Sequence, residues 1–423
     1  MKKRRQIGLF VGLGLVITAA AFIALRPREP VYQGKPLKFW LRAMEFRPGW
    51  GESVQSAQAR EVVVNMGSTA VPYLVKIIHQ KGSGLNPGYK KFFYERTRGW
   101  PRGLTRHLPV PLDYPYQLQM NAAGALAQIG RPTNVVLLEL TALLHREYPP
   151  LREVAAQALA KLGDDAIPSL RLSLKDRYPG VQLASANSLW KIREDVTESI
   201  PVLVKLLGET TNFYDFRWRA AQVLGDMGPK AQPAVQALTQ ALKDPENLVR
   251  FTVARALGSI GSGANSAIPA LIEALDENNL APLTRSVDFG GDWQACAAAA
   301  EALGSIGAAP GDVVPGLTQA LESSHAETIA SACRSLASFG AKAESAVPAL
   351  LGLTQHEDSN VRAAALRALI KITPSAKEPV PAVIKRIDTH DSGKDTPGPN
   401  NRIKAIETLG KTGTDAAVRG GEK

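Results

Sequence analysis

Residues 249–277 read "VRFTVARALGSIGSGANSAIPALIEALDE", and the fold turns on how they are read. Val249, Val253, Ala254, Leu257 and Ile260 recur at helical spacing, so the first half predicts an amphipathic helix. Gly261 stands where that helix would stop, and Pro269 suits the first turn of a second one. One helical hairpin cannot bury its own apolar stripe. It needs neighbours.

The neighbours are in the chain. With Gly261 as anchor, equivalent positions are Met66-Gly67, Ile129-Gly130, Leu162-Gly163, Met227-Gly228, Ile306-Gly307 and Phe339-Gly340. Arg193 and Thr373 hold the anchor position in two degenerate copies. From residue 130 onward the anchors are separated by 33, 30, 35, 33, 46, 33 and 33 residues. Four positions before the anchor stands Leu126, Leu159, Leu189, Leu224, Leu257, Leu303, Leu336 or Leu369. Seven before it stands Ala123, Ala156, Ala221, Ala254, Ala300 or Cys333, and eight after it Pro201, Pro269, Pro315, Pro348 or Pro381. A small residue and a Leu in fixed register at this period predict an all-α fold, an α-solenoid of stacked antiparallel helix pairs. About nine copies fit between residues 52 and 390.

The pattern resembles HEAT repeats, in particular the short Ala-rich subtype named after the phycobilisome lyases. The residues that carry the resemblance are "VR..VARALGSIG....AIPALIEAL" at 249–275, "VRAAALRAL" at 361–369 and "AVPALLGL" at 346–353. They are packing residues, so they speak for architecture and say little of function. Arg152, Arg217, Arg250 and Arg362 each lie eleven residues before an anchor. The resemblance implies a structural role there, a ladder of basic side chains bonded to the preceding turns.

The chain opens "MKKRRQIGLFVGLGLVITAAAFIALRPREP". Residues 7–25 are uncharged and mostly apolar, long enough to cross a hydrocarbon core of ~30 Å as a helix. Lys2, Lys3, Arg4 and Arg5 make residues 1–6 a cytoplasmic n-region and place the solenoid outside the cytoplasm, periplasmic or on the outer face. A signal peptide cleaved near Ala21 is the competing reading and would make the protein secreted. Residues 31–51 are the expected juxtamembrane segment and capping helix, with Leu37, Trp40, Leu41 and Met44 on one face. Their opening, "YQGKPL..WL", resembles the juxtamembrane segment of bacterial membrane-anchored HEAT proteins. A helix resting on the lipid competes with the cap, because Trp and Lys/Arg favour that boundary.

The net charge of +11 is unevenly placed. Residues 1–30 contribute +5 and residues 82–116 contribute +4, which leaves the repeats near neutral and argues against a nucleic-acid groove. The basic excess of the insert 83–117 is interleaved with aromatics: Lys90, Lys91, Phe92, Phe93, Tyr94, Arg96, Arg98, Trp100, Arg102 and Arg106. Such a loop either folds back onto the first repeats or recognises a protein, an anionic lipid or a cell-wall polymer. Smaller expansions at 208–218 and 278–293 fall at the same phase of the repeat and predict one decorated edge. Residues 391–423 read as a linker followed by a partial repeat, "RIKAIETLGKTG", or a disordered tail.

Catalytic signals are weak. Cys333 fills the Ala position of the helix stripe and reads as a buried thiol, while Cys296 takes the Arg position of its own repeat; a disulfide between them is left open. HEAT-type deoxyhypusine hydroxylases hold two irons with paired His-Glu motifs, and this chain has a single such pair, His356-Glu357. His79, His107, His145, His325, His356 and His390 have no i, i+4 pairing, so neither a metal nor another cofactor is expected. No bilin pocket is marked, and a lyase activity ranks third. The expected function is a non-catalytic scaffold that binds other proteins through a concave face. A binding module for an anionic polymer or lipid, acting through the insert, is the alternative.

Overall fold

The computed structural model describes residues 29–44, 54–80, 114–129, 134–209, 214–280 and 291–373. Residues 7–25, most of the insert 83–117 and the tail 391–423 lie outside these. The chain divides into two compact units, Met1–Arg193 and Glu194–Lys423.

Unit 1 begins with a hairpin, β1 (Val31–Tyr32) and β2 (Lys35–Pro36), in antiparallel register with Tyr32 opposite Lys35. This two-stranded ribbon is a local addition to a chain that is otherwise mostly helical. Gln33 (φ 50°) and Gly34 (φ 73°) are both left-handed, the conformation a two-residue hairpin turn requires. Helix α1 (Leu37–Ala43) follows. The repeats of the unit are α2 (Val54–Asn65), α3 (Val71–His79), α4 (Tyr114–Ile129), α5 (Asn134–Leu143), α6 (Pro149–Leu159), α7 (Ile167–Ser173) and α8 (Pro179–Arg193). Because α4 starts at Tyr114, the last four residues of the expected insert are helical.

Leu37, Leu41 and Met44 enter one continuous core with Ala59, Val63, Leu74, Ala122, Ala123, Leu126 and Leu140. That core extends to Val154, Leu159, Leu170 and Leu189. α1 packs on α2 and α4, so it covers an apolar face that an end repeat would otherwise expose.

Unit 2 contains α9 (Ser199–Leu207), α10 (Tyr214–Asp226), α11 (Val235–Ala241), α12 (Asn247–Ile260), α13 (Ile268–Glu273), the one-turn α14 (Glu277–Leu280) and α15 (Trp293–Ile306). It continues through α16 (Pro310–Gln319), α17 (Ala326–Ser338), α18 (Val347–Leu353) and α19 (Ser359–Ile372). The long helices α10, α12, α15, α17 and α19 each pack directly on the next. These are the first helices of the repeats, and their apolar stripes supply the core: Val253 and Leu257, Ala299 and Leu303, Ile329 and Leu336, Ala365 and Leu369 are all buried.

The anchor glycines stop the first helices. Gly261 has φ 68° and ψ −138°, and its N–H donates to the carbonyls of Leu257 and Gly258. A Cβ there would meet nothing within 4 Å, so the backbone conformation is what demands glycine. Where Arg193 replaces the anchor, the left-handed residue is Glu194 at φ 54°, one position on. Pro72, Pro168, Pro269 and Pro348 open second helices in their first turn, where a missing N–H costs nothing. Pro315 differs from expectation. Its helix starts earlier, at Pro310, so Pro315 lies inside it.

A second set of glycines serves close approach. A Cβ on Gly258 would stand 3.0 Å from the Cα of Ala302, and one on Gly304 would stand 2.7 Å from Ser335 Cβ and 2.9 Å from its Cα. Neither has a positive φ. These glycines let neighbouring first helices meet backbone to backbone.

Candidate functional site

The four arginines of the expected ladder sit near the start of first helices, where each reaches back to the turn that precedes it. Arg152 donates to the carbonyls of Arg146 (2.8 Å) and Glu147 (3.1 Å), and Arg217 to that of Glu209 (3.3 Å). Arg250 donates to the Asp244 carbonyl, and Arg362 to those of His356 and Glu357, both at 2.7 Å. Three of them also reach a carboxylate in the following turn. Arg152 grips Asp176 through two bonds of 2.8 and 2.9 Å, and Arg217 grips Asp244 through two of 2.7 and 3.0 Å. Arg250, 1% exposed, bonds Asp292. One buried fork thus ties two consecutive turns together, with the bidentate geometry that favours Arg over Lys.

The acidic partners were not anticipated. Asp176 and Asp244 each stand seventeen positions before an anchor, which is a readable signal. Their side chains also accept the N–H two residues on, from Tyr178 (2.8 Å) and Glu246 (2.9 Å). His356 occupies the same position, and its Nδ1 accepts the N–H of Asp358 at 3.0 Å. The single His-Glu pair is therefore engaged in forming a repeat turn.

A groove of about 480 Å³ lies across α12, α15 and α17 of unit 2. Phe251 and Trp293 form its aromatic walls, Ala297 and Ala298 its floor, and Arg255, Glu301 and Glu327 its polar rim. The Arg255 guanidinium stands 5.6 Å from the ring centroid of Phe251. Both rim carboxylates are bound by Arg334, at 3.0 Å to Glu301 and 2.9 Å to Glu327. The Trp293 ring stacks on that of His325 at 5.7 Å, and His325 faces Glu277 at 3.4 Å. Sequence reasoning missed this site, although a signal exists. Ten positions before the anchor stand Trp218 and Phe251, where the three following repeats have Ala297, Ala330 and Ala363.

Cys296 and Cys333 are buried and unpaired. Burial pushes each thiol up to about 12, and for Cys296 the nearby carboxylates of Glu277, Asp292 and Asp276 push the same way. A thiol that stays protonated near neutrality is a poor nucleophile. Among the described residues, no group of three or more His, Cys, Asp or Glu side chains could hold a metal ion, and no single helix is long and apolar enough to cross a membrane. The aromatic-basic set from Lys90 to Arg106, like His107 and His390, lies outside the described residues.

Helix pairs that recur at one period, stack through a shared core and are tied turn to turn by arginines define a helical repeat protein. The family profile for HEAT repeats matches residues 137–214, 200–287 and 314–396, more than half of the chain. The chain belongs to the HEAT-repeat family. No curated protein matches it. Among solved structures, an engineered protein is 21% identical with a TM-score of 0.41, covering 89% of this chain and 98% of its own. A second engineered protein is 25% identical with a TM-score of 0.33, covering 56% and 96%. Human deoxyhypusine hydroxylase in complex with glycerol is 16% identical with a TM-score of 0.26, covering 72% and 95%.

Proposed function

We propose that the protein is a non-catalytic scaffold, anchored in a membrane by residues 7–25, that binds extended segments of other proteins through the face of its first helices. In this reading the repeats stand outside the cytoplasm and are of the Ala-rich phycobilisome-lyase type. The observation that carries it is the groove across α12, α15 and α17, with aromatic walls, a small-residue floor and a charged rim. A rigid aromatic pocket beside an arginine is the composition that dominates protein-binding surfaces. Within unit 2, close approach at Gly258 and Gly304 draws the first helices together, whereas the second helices touch one another far less. The groove opens on the row of first helices that pack against one another.

Photo-crosslinking in the native envelope tests this. A benzophenone side chain at Arg255 or Gln294 is expected to trap a protein partner, while one at the exposed Gln236 of α11 is not. Crosslinks from position 236 with none from 255 or 294 would refute it. A second reading gives binding to the basic-aromatic insert, for an anionic polymer or lipid, and rests on the interleaving in "YKKFFYERTRGW". Binding of that kind weakens with salt.

A further inference from the structure

The hairpin and α1 have two faces of opposite character. Inward, Leu37 and Leu41 are fully buried. The Asn121 amide on α4 donates to the carbonyls of Leu41 (2.7 Å) and Met44 (2.6 Å), so the end of α1 is fastened to the first repeats by hydrogen bonds as well as by packing. The Trp40 indole N–H donates to the Tyr32 carbonyl at 3.3 Å and holds the hairpin against the helix. Outward, Val31 is 63% exposed and Phe39 43%. Phe39 meets the Trp40 ring edge-on at 5.3 Å, and Lys35 Nζ sits 4.3 Å from the Phe39 centroid and 5.4 Å from that of Trp40.

The platform therefore presents an aliphatic and an aromatic side chain on rigid backbone, with cations around them. Residues 29–44 contain Lys35, Lys38 and Arg42 against one carboxylate, Glu29, and that carboxylate is occupied in accepting the Lys38 N–H at 2.8 Å. The large apolar side chains exposed among the described residues are Val31, Phe39, Val54, Val135, Leu138 and Leu172, all in unit 1. Aromatic rings and snorkelling lysines are the side chains that settle at the boundary between headgroups and acyl chains. Tether length agrees. Val31 follows the apolar stretch 7–25 by six residues, and six extended residues span at most ~20 Å.

We propose that the outward face of residues 31–42 is a lipid seat, with Val31 and Phe39 inserted at the bilayer interface and Lys35, Lys38 and Arg42 facing anionic headgroups. The proposal rests on the reading of residues 7–25 as a membrane anchor. It gives α1 two roles at once, capping the repeats on one side and setting their distance from the bilayer on the other.

The test uses the full chain with Val31→Cys carrying a bimane probe, in vesicles of phosphatidylcholine alone or mixed with phosphatidylglycerol. Cys296 and Cys333 are buried with thiols pushed up to about 12, so labelling goes to the introduced cysteine. Lys342→Cys on unit 2 is the control. The expected result is several-fold stronger quenching at position 31 than at 342 by nitroxide-bearing lipid, shielding of 31 from aqueous iodide, and deeper quenching with the anionic lipid. Lys35→Glu should remove the anionic increment. Equal iodide access at 31 and 342, with the chain still vesicle-bound, would overturn the seat and leave the anchor standing. A chain that stays in the supernatant would overturn both.

Discussion

Replacing Arg250 by Met keeps an unbranched apolar stem and removes the guanidinium. The side chain is 1% exposed and Asp292 is 13% exposed, so the substitution leaves the Asp292 carboxylate without this cation in a mostly dry site. It also removes the donor to the Asp244 carbonyl. Breaking a buried pair from one side costs about 3–5 kcal/mol. The Arg193–Asp164 pair is the control: its side chains are 57% and 63% exposed, and such pairs contribute about 0–1 kcal/mol. With a urea dependence of roughly 2–3 kcal/mol per molar for a unit of this size, Arg250→Met should lower the unfolding midpoint by on the order of 1–2 M. Arg193→Met should move it by a few tenths of a molar at most. Adding Asp292→Asn to Arg250→Met removes the charge that the guanidinium balanced, so the double variant should lose less than the sum of the two singles. Urea titration followed by far-ultraviolet circular dichroism reads the four variants beside the wild type. Equal shifts for Arg250→Met and Arg193→Met, or strict additivity with Asp292→Asn, would refute the buried-fork account.

Two glycines of the first and second helices should respond to alanine in opposite directions. Gly304→Ala forces a Cβ against Ser335 backbone and should cost about 1–3 kcal/mol, whereas Gly352, with nothing within 4 Å, should gain up to about 1 kcal/mol from helix propensity. Thermal melts of both variants shifting the same way would contradict this. Both native thiols should resist a disulfide reagent at pH 8 and react fully in denaturant, because folding holds them protonated; prompt reaction of the native protein would show the packing at Ala295–Ala299 to be open. The Lys230 ammonium holds the Glu194 carboxyl below its ordinary range. A lowered carboxylate adds stability above its unfolded pKa of about 4.3, and that stability is lost as pH falls through the lower folded value. The melting difference between wild type and Lys230→Met should therefore be present at neutral pH and vanish in strong acid; a difference that persists there would mean that Lys230 acts through packing.

Architecture was legible because it is written in many weak repeats of one rule. Gly261, Leu257, Ala254 and Pro269 recur at fixed offsets, and each has a local physical reason that needs no knowledge of the rest of the chain. The hairpin at 31–36 was hidden because Gln33 gives no warning of a left-handed backbone. Gly258 and Gly304 looked like ordinary small residues, since their meaning depends on which backbone approaches from the next repeat. The groove was hidden for the same reason. Phe251, Trp293 and Glu327 come from three helices at three different repeat positions, and their proximity is a product of stacking. The arginines were legible as a ladder; their partners Asp176 and Asp244 keep one repeat position and could have been read with them, whereas Asp292 follows the expansion at 278–293, 42 residues after Arg250 and out of that register.

The central claim is that binding belongs to the first-helix face of unit 2, and partner retention by the full chain in envelope extract, at low and high salt, tests it most directly. Phe251→Asp should abolish retention at both salt concentrations. Replacing Lys90, Lys91, Arg96 and Arg98 together by Gln should leave it intact. Retention that survives Phe251→Asp but is lost with those four basic residues, or with salt alone, would contradict the claim and move recognition to the insert.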